Sequence, residues 1–417
     1  MFMLTLIRFA SLAAGIAIFV APFRGSAGLR GAMLVLAGMA IFFAYQRAGQ
    51  LKDLLPPYKF LGVAAGAWLL TASLWSLLSP SPLESLSVVK RDILTPLLAC
   101  LVFYALTRTR ADMMRWLCVL TAGLVALTIM IICEPFDPRV AMQESDYITV
   151  GTLSTWIVTL APLLAVLLFA SVPWRRRANI LLVTALPCVL ISAWLSGNRT
   201  VWMCFAAMLV VAMLFGLRGH LATRTHQRSF VGALGLLAVL VSLLIGAMQF
   251  RAQTQAPAGV GSVTFLLQDN RAPILHVAFD MIGENPWRGV GYANPDLETA
   301  FAARFTAPWL KNYVQHAHNV VLDHMLQMGA TGGIVIVVLF AALAWTFIRR
   351  IPAGGLARLA GLAGIALVTG VFLRNMTDDF FSRHSVQFFG AAVGMLLGLA
   401  THRPPLNRRD VVQHKSA

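Results

Sequence analysis

Long apolar segments alternate with short polar ones along almost the whole chain. Most of the apolar segments reach or approach the roughly 17 to 25 residues that an α-helix needs to cross the hydrocarbon core of a bilayer. The pattern therefore predicts an all-α polytopic membrane protein with about twelve transmembrane helices. The expected spans are residues 5–22, 31–45, 59–78, 92–106, 114–133, 149–171, 179–196, 200–217, 230–249, 319–347, 355–373 and 385–401.

The composition excludes a protein built from soluble domains, although 417 residues would suffice for two or three of them. Hydrophobic residues make up 58% of the chain and charged ones 12%, against roughly 25% charged residues in an ordinary globular protein. The 33 Lys and Arg against 17 Asp and Glu give a net charge of +16, which by itself would suggest a nucleic-acid-binding protein. The apolar content argues against that class, and we expect no nucleic acid among the partners.

The basic residues are distributed unevenly between the two ends of the expected helices. When the amino terminus is assigned to the cytoplasm, most Lys and Arg fall in cytoplasmic loops, where only Asp53, Asp112 and Asp410 oppose them. This is the distribution that the positive-inside rule requires, and an odd number of spans would break it. The first span has no small-residue cleavage site before Arg24, so we expect a retained helix rather than a signal peptide. Both termini are therefore expected in the cytoplasm.

One connection, residues 250–318, is far longer than the others and is expected on the outer side. Loops beyond roughly 15 residues are usually functional or disordered. Apolar residues recur at helical spacing over 271–282, so we expect an amphipathic helix there, a Pro/Gly turn over 284–295 and a second short helix over about 295–304. The expected organisation is nine transmembrane helices in 1–249, the large partly helical loop in 250–318, three helices in 319–401 and a basic cytoplasmic tail in 402–417.

Three histidines, His316, His318 and His324, cluster where the large loop re-enters the membrane. A neutral imidazole, with an ordinary pKa of roughly 6.5, can accept a proton at ambient pH, so a histidine here suits general-base catalysis. Zinc binding is the competing chemistry, and interfacial histidines without a catalytic role are the third possibility. His-x-His is a poor ligand spacing on a helix, and the five cysteines fall within or at the ends of spans without metal-ligand spacing. We therefore expect neither a metal nor a cofactor.

Several cationic side chains share the outer side with these histidines. Arg199 lies in the tight hairpin LSGNRTVW, and Arg271 opens the expected loop helix. Lys90 and Arg91 begin the fourth span. The guanidinium fork matches phosphate oxygens and keeps its proton, so these residues are candidates for binding a diphosphate group. Snorkelling toward the interface, or pairing with a carboxylate, is the alternative. The other candidate substrate-binding residues are Arg288, Arg374, His316 and Asn319.

Three motifs together resemble the O-antigen ligase/polymerase superfamily. The first is His318-Asn319, followed by an aliphatic helix and the pair Gly332-Gly333. The second is the turn ENPWRGVGYANP at 284–295 behind an Arg-led helix, and the third is Arg199 after Ser-Gly-Asn. The resemblance implies a glycosyltransferase of the GT-C type in the inner membrane of a Gram-negative bacterium, with its active site facing the periplasm. The implied donor is a glycan on undecaprenyl pyrophosphate, and no cofactor is implied.

This superfamily contains ligases, which transfer the glycan to the lipid A–core oligosaccharide, polymerases, which extend it, and protein O-oligosaccharyltransferases, which attach it to Ser or Thr. The chain length, the single large loop late in the chain and the short sequence after the last span look most like a ligase. The resemblance then implies an inverting, metal-independent transfer with His318 as general base and with Arg199 and Arg271 stabilising the pyrophosphate. Arg91 would be a weaker third cation, and Asn319 would orient the histidine or the sugar. Membrane lipids would surround the chain, whose oligomeric state stays open, with a monomer expected.

A transporter or flippase for a lipid-linked sugar is the alternative from another class. Such a protein would also need outer cations and many helices, but it would usually place ionisable residues within its spans near the membrane midplane. Here the expected spans are almost free of charge, and Asp323, about one turn into the tenth span, is the deepest exception. The charge pattern therefore favours the enzyme.

Overall fold

A computed structural model of the chain describes residues 2–134, 148–166, 172–196, 198–216, 246, 271–305, 316–377 and 381–401. Within these ranges every regular element is a helix, which confirms the expected all-α class. In chain order the α-helices are α1 (Phe2–Phe19), α2 (Ala27–Arg47), α3 (Lys59–Leu77), α4 (Pro82–Val89), α5 (Thr95–Leu106), α6 (Arg110–Cys133), α7 (Val150–Ala165), α8 (Val172–Leu195), α9 (Arg199–Gly216), α10 (Arg271–Glu284), α11 (Asp296–Ala303), α12 (Val320–Ile348), α13 (Gly355–Thr377) and α14 (Arg383–Thr401).

Among the described residues, 8 helices are long and apolar enough to cross a membrane, namely α2, α3, α6, α8, α9, α12, α13 and α14. The apolar helices α1 and α7 are shorter. Each expected span coincides with a helix except 230–249, of which only residue 246 belongs to the described residues. The chain is therefore a polytopic membrane protein, and the number of twelve spans, the division into domains and the orientation of the termini stay predictions.

The fourth expected span, 92–106, begins inside a longer helix. Helix α4 runs into α5 without a break through a π-helical turn at Lys90–Leu94. Such turns insert an extra residue into the helix and frequently occur at functional sites. Both Lys90 and Arg91 lie in this turn and are exposed.

Helix α14 lies at the centre of the described bundle, and nearly all of its side chains are buried. Three of its glycines recur at every fourth residue and face α5. A Cβ atom at Gly390 would lie 2.3 Å from the Pro96 carbonyl oxygen, and one at Gly394 would lie 2.2 Å from that of Cys100. Because small residues at this spacing allow two backbones to approach closely, α14 and α5 pack tightly. The buried helix α14 thereby supports the helices packed around it.

A kink divides α12 at Gly329, whose φ of 65° and ψ of −161° are not helical. The Pro/Gly turn expected after the loop helix fills this kink, and we call its residues 286–291 the clamp. The backbone N–H of Val290 donates to the carbonyl of Leu326 over 2.9 Å, and the N–H of Ala330 donates to the carbonyl of Pro286 over 2.7 Å. Helix α12 thus makes at its kink the hydrogen bonds that a straight helix would make within itself.

The large loop contains the two helices that the sequence predicts, α10 and α11, and we call residues 271–305 the arm. Ile274, Ala278 and Ile282 of α10 are buried in a small core with Phe301 of α11, next to the first turns of α12. Phe279, one of the apolar residues at helical spacing in 271–282, is 59% exposed, because the face that packs is narrower than the apolar stripe in the sequence. An ion pair also joins the two helices, since Arg304 contacts Glu284 over 2.8 Å, and this carboxylate raises the pKa of Arg304.

Candidate active site

Asn319 lies at the amino-terminal end of α12. Its side-chain oxygen accepts hydrogen bonds from the backbone N–H groups of Val321 and Leu322, at 3.0 and 3.1 Å, and so caps the helix. Its amide nitrogen donates to the carbonyl of Met376, at the end of α13, over 3.2 Å. The oxygen and the nitrogen of this amide therefore both bond backbone groups. These bonds fix the position of Asn319 and thereby that of the preceding residue, His318.

His318 lies directly before the cap and has a φ of 51°, in the left-handed region that residues with a Cβ atom seldom adopt. Its backbone N–H donates to Nδ1 of His316 over 3.1 Å, and the centroids of the two rings are 4.3 Å apart. Both histidines are half-buried. Because Nδ1 of His316 accepts this hydrogen bond, a neutral imidazole here would carry its proton on Nε2. The unusual backbone at His318 is characteristic of residues that are held in place for a function.

His324, the third histidine of the predicted cluster, does not join the other two. It is buried, with 5% of its surface exposed, and its Nδ1 bonds the carbonyl of Val320 within α12 over 2.8 Å. In the part of the chain that the structure describes, no group of three His, Cys, Asp or Glu side chains is arranged to hold a metal ion. The structure thus brings together His316 and His318 only.

Arg199 is the first residue of α9 and is half-buried. The preceding residue, Asn198, accepts hydrogen bonds from the backbone N–H and the hydroxyl of Thr200, at 3.0 and 2.6 Å. The amide nitrogen of Asn198 donates to Ser154 of α7 over 3.1 Å. This turn between α8 and α9 is therefore fixed on both sides of the arginine.

Arg374, which we expected among the substrate-binding residues, is buried in the last turns of α13 with 0% of its surface exposed. One of its guanidinium nitrogens, Nη2, lies 3.4 Å from the carbonyl of Gly151 and 3.5 Å from the hydroxyl of Ser154. The same end of α13 bonds Asn319 through Met376. The amino-terminal ends of α7, α9 and α12 therefore meet the carboxy-terminal end of α13, which links the residues next to Arg199 and His318.

Arg91 belongs to a second polar cluster around the π turn. Its guanidinium makes two bonds to the carboxylate of Asp92, at 2.8 and 3.0 Å. Asp92 is buried, with 5% of its surface exposed, and it also accepts the backbone N–H of Arg383, the first residue of α14, over 2.9 Å. Tyr292 of the arm lies close enough to Arg91 to interact with it electrostatically. Sequence reasoning missed Asp92, although an acidic residue directly after two basic ones in an apolar segment is a usable signal.

Two of the remaining predicted cations, Arg271 and Arg288, lie on the arm, and Lys90 lies in the π turn. Arg288 belongs to the clamp and is exposed, and its carbonyl accepts a hydrogen bond from the indole of Trp75 on α3. Arg271 begins α10, while the placement of its side chain lies outside what the structure describes. Lys90 is exposed next to Arg91. The backbone of Arg271 is thus part of a helix, that of Arg288 part of the clamp and that of Lys90 part of the π turn.

Gln327 connects the arm with α12 and was also missed by sequence reasoning. Its side-chain oxygen accepts the backbone N–H of Ala293 over 2.9 Å, and its nitrogen donates to Asp323 over 2.6 Å. Asp323, the deepest acidic residue of the expected spans, is only 8% exposed and contributes to this link. A glutamine in an apolar span carries no sequence signal for such a contact.

The chemistry available at the meeting point follows from charge and burial. The amino-terminal ends of α9 and α12 carry the partial positive charge of their helix dipoles, which favours anions. Arg199 adds a full positive charge at one of these ends, and His318 adds an imidazole, the side chain that most often serves in general acid–base catalysis. The arrangement suits a reaction in which an anionic group departs and a hydroxyl loses its proton.

A family model described as O-antigen ligase matches residues 147–337. The matched range begins just before α7, ends within α12 and includes Arg199, the arm and His318. In a search of curated proteins, no sequence matches the chain.

Proposed function

On the premise that residues 147–337 place this chain in the O-antigen ligase superfamily, we propose that it is an O-antigen ligase. It transfers a glycan from undecaprenyl pyrophosphate to the lipid A–core oligosaccharide at the periplasmic face of a Gram-negative inner membrane. The transfer is inverting and needs no metal. The alternatives within the superfamily are an O-antigen polymerase and a protein O-oligosaccharyltransferase, and a flippase for a lipid-linked sugar is the alternative outside it.

One observation carries the proposal: the last turn of α13 is linked to the neighbours of both Arg199 and His318. Asn319, next to His318, bonds the Met376 carbonyl of that turn directly. Asn198, next to Arg199, bonds the Ser154 hydroxyl, which also contacts Arg374 of that turn. A transferase that expels a diphosphate needs a cation for the leaving group and a base for the acceptor, at the same end of the bundle. A flippase needs no base.

In the proposed reaction, an acceptor hydroxyl oxygen attacks the anomeric carbon of the donor sugar. The bond from this carbon to the pyrophosphate oxygen breaks, its electron pair leaves with undecaprenyl pyrophosphate, and the hydroxyl proton passes to His318. A single displacement of this kind inverts the anomeric configuration. A positioned base contributes about 10²–10⁴ in rate.

Arg199 and Arg271, with Arg91 and Lys90 further away along the chain, stabilise the negative charge that develops on the leaving oxygen. One preorganised donor of this kind contributes roughly 10²–10³ in rate. Arg91 shares its charge with Asp92, which supports its place as the weaker cation. Arg288 is exposed on the clamp and suits binding of the glycan or of a lipid phosphate.

The test is transfer by the purified protein in liposomes, with lipid-linked donor and a defined lipid A–core acceptor. His318→Ala is expected to reduce the rate by about 10²-fold or more, because the base is removed. His276→Ala is the matched control, since this histidine is exposed on α10 and pairs only with Asp280 among the contacts that the structure describes. Transfer by the His318 variant at the rate of the control would refute the assignment of the base.

The phenotype of a deletion strain distinguishes the alternatives. Uncapped lipid A–core together with accumulated lipid-linked glycan supports the ligase. Capping with a single repeat unit supports a polymerase, and normal capping with glycan trapped on the inner face supports a flippase.

A further inference from the structure

The last turn of α13 touches the neighbours of both proposed catalytic groups. On the side of the base, its Met376 carbonyl accepts a hydrogen bond from Asn319, the residue that directly follows His318. Asn319 also caps α12, so the position of this histidine depends on the position of α13. This half of the arrangement belongs to the site described above.

On the side of the cation, the contact runs through the buried Arg374. Its Nη2 lies 3.5 Å from the hydroxyl of Ser154, and the same hydroxyl accepts a hydrogen bond from Asn198 over 3.1 Å. Asn198 directly precedes Arg199 and accepts the bonds that begin α9. Arg374 also lies close enough to Cys204, further along α9, to interact with it electrostatically. A chain of contacts thus leads from α13 through α7 to the turn that carries Arg199.

We propose that Arg374 is a positioning residue, which fixes the turn between α8 and α9 and thereby holds Arg199 at a set distance from His318. The inference rests on the proposed function for the roles of these last two residues. It replaces our expectation that Arg374 binds substrate directly.

Burial supports this role. A side chain with 0% of its surface exposed offers no surface to a substrate in this structure. Removing a guanidinium from water costs several kcal/mol unless its hydrogen bonds are replaced. The contacts of Arg374 to Gly151 and Ser154 therefore stabilise the packing of α13 against the start of α7.

The first test is a double-mutant cycle on the rate of glycan transfer at saturating substrates. Arg374→Gln is expected to reduce kcat about tenfold in the otherwise unchanged protein, but less than about threefold when Arg199→Ala is already present, because residues that act through one another are not additive. Ser154→Ala should behave in the same way with a loss of about threefold, and it provides the test if the Arg374 variant does not fold. Arg374→Lys, which keeps the charge, should recover part of the rate.

Thr159→Ala is the matched control, since this buried hydroxyl lies on the same helix and bonds the carbonyl of Thr155 in α7. It should reduce the rate only slightly, and by the same factor whether or not Arg199→Ala is present. If the losses caused by Arg374→Gln and Ser154→Ala also multiply with that of Arg199→Ala, Arg374 acts independently of Arg199 and the proposal is overturned.

The second test does not depend on activity. Hydrogen exchange of the backbone amides in residues 193–200 should become faster in Arg374→Gln and Ser154→Ala, but not in Thr159→Ala. Unchanged exchange in the first two variants would overturn the positioning role. If the unmodified protein transfers no glycan at all, the proposed function fails, whereas the exchange measurement still decides whether Arg374 fixes this turn.

Discussion

The clamp makes a quantitative prediction about Gly329. A Cβ atom at this position would lie 2.3 Å from the backbone carbonyl carbon of Trp287 and 2.8 Å from the backbone nitrogen of Arg288. Because the neighbours are backbone atoms, they cannot rotate away as a flexible side chain would. Gly329→Ala must therefore either push the clamp off α12 or change the kink.

The magnitude follows from two costs. A residue with a Cβ atom in this region of φ and ψ costs of order 1–3 kcal/mol. The steric overlap with the clamp adds about 1–3 kcal/mol. The clamp is held by the backbone hydrogen bonds of Val290, Gly291 and Ala330, worth about 0.5–1.5 kcal/mol each. The two sums are similar, so detachment of the clamp is the expected outcome rather than unfolding of the bundle.

Gly354 provides a matched control for this experiment. Its φ of 74° and ψ of −179° resemble those of Gly329, but apart from its chain neighbours no atom of the described residues lies within 4 Å of the Cβ that alanine would add. Both variants therefore carry the conformational cost, and only Gly329→Ala carries the overlap.

The assay is hydrogen exchange of peptides covering residues 286–291, together with the melting temperature in detergent. We expect exchange of the clamp to accelerate at least tenfold in Gly329→Ala and to stay unchanged in Gly354→Ala, because opening is local. Equal protection of the clamp in the two variants would show that the close contact at the kink is not what holds the arm.

Three further predictions concern the site. Asn319→Ala should lower the free energy of unfolding by about 1–2 kcal/mol through loss of the cap and should reduce transfer, whereas Asn319→Asp keeps the cap and should retain most of the stability, both measured by thermal denaturation and transfer rate. Arg199→Lys should lose about tenfold or more in transfer rate, since an ammonium lacks the bidentate geometry, and a normal rate would favour snorkelling. Transfer should persist after exhaustive chelation, and activity that EDTA abolishes and one divalent ion restores would contradict a metal-free mechanism.

The helices could be predicted from sequence because the membrane imposes one simple rule on them. A segment that must satisfy its backbone internally and face lipid has to be both helical and apolar, so hydropathy alone finds α2, α6 or α13. The arm helices were also predictable, since Ile274, Ala278 and Ile282 recur at helical spacing and do become buried.

The contacts between distant residues could not be predicted in this way. The burial of Arg374 depends on where α7 lies, and the pairing of Asp92 with the start of α14 joins residues separated by 291 positions in the chain. The kink at Gly329 depends on the clamp, and nothing in the sequence distinguishes this glycine from Gly332 and Gly333 in the same helix. In each case the residue type can be read from the sequence. Its contact partner depends on how helices that are distant in the sequence pack against each other.

The length of α12 has a consequence for the acceptor. This helix has 29 residues and ends at Ile348, directly before Arg349 and Arg350. The helix rises about 1.5 Å per residue, and a hydrocarbon core is about 30 Å thick. If the core begins at Ile348, the segment from Ile348 back to Gly329 is long enough to cross it. If the helix kept its direction beyond the kink, the remaining residues would place His318 about 16 Å above the hydrocarbon, whereas the headgroup layer on each side is only about 5–8 Å thick. A hydroxyl next to its own lipid anchor would lie too deep to reach this imidazole, whereas a hydroxyl separated from the anchor by several sugars would lie at the right height.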